Sequence, residues 1–205
     1  MQRITKIFIG FLLMSFASCS LFVNKYVEKI EAERLSKDSS FLIEKDSPLD
    51  SEQILEFNGL NYFPIDEAYV VNARIEVLSG DQIIQLKTST DRLPDYKVYA
   101  YVHFKLHGQT YRLTAYQSIS LQTDSVYKDY LFLPFTDNNS NISTYGGGRY
   151  IDFQIPKTDT FILDFNKSYN PYCAYNHRWS CVIPPRENRL EIPINAGEKL
   201  YTITH

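Results

Sequence analysis

The sequence predicts a mainly β domain, an antiparallel β-sandwich or barrel of about nine strands with one or two short N-terminal helices. From residue 68 onward apolar side chains recur at every second position, the period of a half-buried strand. Turn residues break these runs at short intervals, as sandwiches and barrels require. A hydrophobic fraction of 44%, with 16 Tyr and 13 Phe among 205 residues, is ample for one core.

Residues 1–18 are expected to be a signal peptide. Arg3 and Lys6 form a basic start, and Ile7 to Ala17 are apolar. That stretch is shorter than the roughly 20 apolar residues a bilayer span needs. It ends Phe16-Ala17-Ser18-Cys19, which resembles the lipobox of bacterial lipoproteins, with Phe16 where Leu is usual. The resemblance implies lipidation of Cys19 and a cell-envelope, membrane-anchored protein; an ordinary secretory peptide is the other reading. Ser20 is not the Asp that commonly retains lipoproteins at the inner membrane, so the outer membrane is the expected address. Removing residues 1–18 leaves 19 basic against 24 acidic side chains, net −5. A mildly acidic body without basic clusters argues against a nucleic-acid partner.

The remaining elements follow in order. Residues 22–38 read as a helix with Val23, Val27 and Ile30 in a stripe. Ser47-Pro48-Leu49-Asp50-Ser51 forms a turn suited to capping a second short helix that carries Ile54, Leu55 and Phe57. Tyr69, Val71, Ala73, Ile75 and Val77 alternate with polar residues as a strand, and Ile83–Leu86 follow as another. If His107-Gly108 is a two-residue turn, Leu106 pairs with Gln109, Phe104 with Tyr111, Val102 with Leu113 and Ala100 with Ala115. The opposite face then carries Tyr101, His103, Lys105, Thr110, Arg112 and Thr114. A one-residue slip mixes these faces, so the register is specified. Leu131–Phe135, Arg149–Ile155, Phe161–Phe165 and Leu190–Ile194 are the later strands. The expected organisation is a signal peptide (1–18), a lipidated N-terminus with a short helix (19–40) and a single β-rich domain (41–205).

Glycine, proline, asparagine and aromatic residues concentrate in 137–189, as in an ordered loop surface. The run reads Tyr145-Gly-Gly-Gly-Arg149-Tyr150, Asp164-Phe-Asn166, Tyr169-Asn-Pro-Tyr-Cys173-Ala-Tyr-Asn176, Pro184-Pro185-Arg-Glu187-Asn188-Arg189 and Ala196-Gly-Glu-Lys199. Upstream stand Ser47-Pro48-Leu49, Phe57-x-Gly59-Leu60-x-Tyr62-Phe63-Pro64 and Leu131-Phe132-Leu133-Pro134-Phe135-x-Asp137. Together these resemble the bacterial and archaeal family catalogued as domain of unknown function 1684. That resemblance implies no particular activity.

Alternation puts Arg149 on the side of Ile151 and Phe153, where an unpaired charge is costly. Asp137, Asp164 and Glu187 are its candidate partners. The arginine is either half of a structural ion pair or an anion clamp using its planar fork. Asp164, Asn166, Asn170, Asn176 and Asn188 are turn formers by default. The ligand-binding candidates are Asp137, Tyr145, Arg149, Asp164, Asn166, Asn170, Tyr172, Tyr175, Glu187 and Asn188. Gly146 to Gly148 are either a bare turn or a backbone wall against a ligand. They do not match a phosphate loop, and no cofactor or metal is implied. Cys173 and Cys181 are expected to form a disulfide in an oxidising compartment. Free thiols, or a metal held with His177 midway between them, are the alternatives. Asp137, Asp152, Asp164 and Glu187 supply carboxylates for a hydrolase. A nucleophile elbow is missing. His103 and His107 belong to the hairpin, and His205 ends the chain.

Three functions fit. The first is a lipid-anchored protein that binds a small polar ligand at the 137–189 surface. The second is a hydrolase using paired carboxylates with Arg149. The third is a structural or assembly module that contacts other envelope proteins.

Overall fold

The structure, a computed structural model, describes residues 25–43, 45 and 47–201. The signal peptide, Cys19, Val23 and His205 lie outside the described residues. Helix α1 covers 25–43, longer at its end than the predicted 22–38. Ile30, Arg34, Lys37 and Phe41 share its inner face, because residues three and four apart stack along a helix. Ile30 and Phe41 are buried there, with Arg34 and Lys37 half-buried between them. Helix α2, Ser51–Glu56, is capped as its sequence predicts. Asp50 accepts from the amides of Glu52 and Gln53, and the Gln53 side chain accepts from the Asp50 amide.

Seven antiparallel strands form one sheet: β1 Val70–Val77, β2 Ile83–Gln85, β3 Asp95–Leu106, β4 Gln109–Ser118, β5 Tyr130–Phe135, β6 Arg149–Gln154 and β7 Thr160–Asp164. The order is β6-β5-β4-β3-β1-β7, with β2 paired to β3. The β3–β4 register is the predicted one, from Leu106 opposite Gln109 to Ala100 opposite Ala115. His107 and Gly108 have φ of 50° and 80°, the paired positive values of a type I′ turn.

The sheet curls until its two end strands meet. Phe153 of β6 stacks on Phe161 of β7 with centroids 4.6 Å apart, although no ladder joins those strands. Helix α1 lies against this seam, where the Tyr26 hydroxyl donates to Asp164 Oδ2 at 2.9 Å. The result is a half-barrel, not a sandwich, and it has seven strands instead of nine. Residues 190–194, predicted as a strand, are a loop. Pro193 has no N–H to offer a ladder, and the backbone of Ile194 is bonded by side chains instead.

The main core fills the inside of the curl, with Val102, Phe104, Leu113, Leu133, Phe135 and Phe165 at its centre. A second cluster lies on the outer face, where Tyr116 and Tyr150 are covered by Val182. Backbone bonds from Ser89 to Cys181 and from Ile183 to Lys87 hold that covering loop in place.

Candidate functional site

Arg149 opens β6 and points into the curl, as alternation predicts, with 1% of its surface exposed. Its Nη2 meets Asp137 Oδ2 at 2.7 Å and donates to Ile194 O at 2.9 Å. Nη1 donates to Ala196 O at 2.5 Å and Glu198 O at 3.1 Å. Asp137 Oδ2 also accepts from the Ile194 amide. Desolvation pushes the Arg149 pKa down, and the Asp137 carboxylate opposes that shift. The guanidinium therefore clasps the 194–198 segment onto the barrel end, and its contacts are with protein atoms.

Most of the other ligand candidates are also engaged by the protein. Asn188, 0% exposed, donates to Thr114 O and Pro134 O and accepts from Thr114 N. Its position has a local cause. Tyr116 pairs with Phe132, so Thr114 comes opposite Pro134, which has no N–H to complete the rung. The Asn188 amide fills the gap. Asp164 caps the Asn166 amide, and Asn166 bonds both N and O of Asp66. Glu187 accepts from the Tyr116 hydroxyl at 3.0 Å.

Glu198, not foreseen as a site residue, is a buried hub. Its carboxylate takes the Lys37 ammonium, the Asn170 amide at 2.8 Å and the Tyr175 hydroxyl at 2.5 Å. The glycine run answers to backbone geometry. Gly148 has φ +85°, and a Cβ there would lie 2.6 Å from Phe135 O, so the β5–β6 turn needs a bare backbone.

The expected Cys173–Cys181 disulfide is not formed; both are free thiols. They interact by hydrogen bonding instead. The Cys173 amide donates to Cys181 Sγ at 3.1 Å, and the Tyr145 hydroxyl donates to Cys173 Sγ at 3.6 Å. The Cys181 thiol, followed by Tyr145, stabilises the Cys173 thiolate and lowers its pKa to about 6. The same pairing pushes the Cys181 pKa up. His177 is exposed, and no metal-holding cluster occurs among the described residues.

Tyr172 differs from the other candidates, because its ring lines a cavity of about 460 Å³. The floor is the outer face of the sheet: Tyr96, Phe132, Tyr150 and Asp152. Its rings are mutually braced, with Phe132 edge-on to Tyr150 at 4.7 Å and Tyr96 against Phe132 at 5.6 Å. The Tyr150 hydroxyl donates to Val182 O, which locks floor to loop. Tyr169, packed edge-on to Tyr150 at 5.8 Å, also lines the cavity, as do Tyr172 and Trp179, 5.1 Å apart edge to face. Arg92 lines it too and donates through Nε and Nη2 to Ser180. Asp152 accepts from the Tyr169 hydroxyl. Desolvation raises the pKa of its carboxyl above the ordinary range, although the residue reaches the exposed rim.

Arg92, Tyr96 and Phe132 lie outside 137–189 and were not foreseen. A signal did exist: aromatic side chains at 96, 116, 132 and 150 occupy the strand face that alternation assigns to solvent. Apolar rings on that face mean that something covers it.

A solution NMR structure of an uncharacterized protein from Haloarcula marismortui is similar to this chain. It is 34% identical, covers 86% of this chain and 95% of that one, and superposes with a TM-score of 0.67. No curated protein matches. The model of the family described as "Protein of unknown function (DUF1684)" matches residues 55–199, and the chain belongs to that family.

Proposed function

We propose that this is a lipid-anchored envelope protein that binds a small molecule in the aromatic cavity between the outer sheet face and the 169–182 loop. One observation carries the reading. The cavity, about 460 Å³, is walled by braced aromatic rings and has a cation, Arg92, and a carboxyl group, Asp152, among its lining groups. Sites for small ligands combine an apolar wall with a few placed polar groups. A flat or apolar body with a charged end suits it, such as an aromatic carboxylate or amine. The hydrolase reading lacks comparable support, because the Arg149 guanidinium is enclosed by protein.

Trp179 is the single tryptophan of the chain and lines this cavity, so its emission reports on occupancy. Titration with a panel of aromatic carboxylates and amines is expected to give a saturable change for at least one member. Arg92→Ala is expected to weaken carboxylate binding about tenfold or more, the loss of one charge-assisted hydrogen bond. A panel that leaves the emission unchanged, with no co-purifying small molecule in native mass spectrometry, rules the reading out.

The anchor rests on the Phe16-Ala17-Ser18-Cys19 junction. Since α1 is already helical at residue 25, the linker is short and the domain rides close to the bilayer. Cys19→Ala is expected to move the protein out of the membrane fraction or leave it unprocessed. Normal processing with unchanged fractionation speaks against lipidation.

A further inference from the structure

The inner face of α1 carries two cations, Arg34 and Lys37, between its apolar anchors Ile30 and Phe41. Packing faces exclude unpaired charge, so each cation should have a partner. Lys37 has Glu198. Lys167, across the groove, has Glu33 at 2.8 Å. Arg34 has no carboxylate: its one hydrogen bond runs from Nη1 to Phe63 O at 3.1 Å. Its guanidinium carbon lies 4.3 Å from the Tyr62 ring centre. Nε and Nη2 are buried without a partner, and so is the Tyr62 hydroxyl.

Those two nitrogens form one edge of the guanidinium fork, the edge that holds a carboxylate through two parallel bonds. Arg34 and Tyr62 both line a cavity of about 180 Å³ between α1, residues 166–169 and Glu198. That volume is several times a water molecule's share of liquid, roughly 30 Å³, which is room for a small ion. The lining holds Arg34, Lys37 and Lys167 against Glu33 and Glu198, three positive charges to two negative. One further negative charge balances the cluster, and a doubly charged phosphate overshoots it.

We propose that this cavity binds a small monocarboxylate, with its two oxygens on Arg34 Nε and Nη2 and the Tyr62 hydroxyl donating to one of them. Burial holds the Arg34 pKa below its usual range, and a bound anion reverses that effect.

The test uses the intact, isotope-labelled protein and follows the Arg34 Nε–H and Tyr62 amide resonances. Sodium acetate and propionate are titrated against sodium chloride and phosphate at matched ionic strength. Saturable shifts with the two carboxylates and none with chloride are expected. Tyr62→Phe should weaken binding about twofold to tenfold, the worth of one neutral hydrogen bond. Arg34→Gln should abolish it. Arg34→Lys keeps the charge without the fork and should weaken binding at least about tenfold. The proposal fails if the wild-type protein gives no saturable response to either carboxylate. It fails equally if phosphate binds as tightly as acetate, or if Arg34→Lys binds as the wild type does.

Discussion

Arg149→Ala is expected to destabilise the protein by about 3–5 kcal/mol, the typical cost of breaking a buried ion pair from one side. For a domain of this size that is a fall in Tm of roughly 6–20 °C. The truncation strands the Asp137 carboxylate and the carbonyls of Ile194, Ala196 and Glu198, all of which now accept from the guanidinium. Arg149→Lys separates the roles. An ammonium is a compact charge and cannot reproduce the planar fork over four acceptors, so the Lys variant should also melt well below the wild type. Below its melting point it should still bind cavity ligands, as read by Trp179 emission. A Lys variant with wild-type Tm and lost binding would return Arg149 to the role of a ligand clamp.

Asn188→Ala is expected to cost about 3 kcal/mol or more. It leaves the amide and carbonyl of Thr114 and the carbonyl of Pro134 without partners in the core, and each stranded buried group costs roughly 1–3 kcal/mol. Asn188→Asp is the sharper variant, because it conserves volume. Aspartate still accepts from the Thr114 amide but turns an oxygen toward two carbonyls. It should destabilise at least as much as Ala, and the Thr114 amide should lose its protection from hydrogen exchange in both variants. If Asp is tolerated, the Ala effect is one of packing volume, and the completed-rung account is wrong.

How much could be read in advance depends on the range of the interaction. The hairpin register, the turn at His107-Gly108 and a capped second helix after the Ser47–Ser51 turn all came out as predicted. Each is set by residues close in sequence, through alternation and turn chemistry. The inward phase of Arg149 came from the same alternation. The loop at 190–194 was missed because its apolar residues imitate a strand. What prevents the strand is the claim of Asp137 and Arg149, over forty residues away, on the Ile194 backbone.

The candidate site divides in the same way. The motif-rich run 137–189 stood out as a surface of special residues, and the Tyr172 ring does line the aromatic cavity. The polar groups of Arg149, Asp164, Asn166 and Asn188, however, are bonded to the chain itself, since a backbone carbonyl as partner leaves no mark in a sequence. The cavity needs Tyr96 from β3, Phe132 from β5 and Tyr150 from β6 on one outer face, with Trp179 from the distant 169–182 loop in the same lining. The sequence alone determined the β class, the strand faces, the central register and the family, because periodicity and motifs are local. Only the tertiary structure decided that the sheet curls into a half-barrel, that Glu198 gathers Lys37, Asn170 and Tyr175, and that Nε and Nη2 of Arg34 are left without an acceptor. Those outcomes depend on which distant groups the fold brings within hydrogen-bond reach, and burial then makes each pairing, or its absence, costly to change.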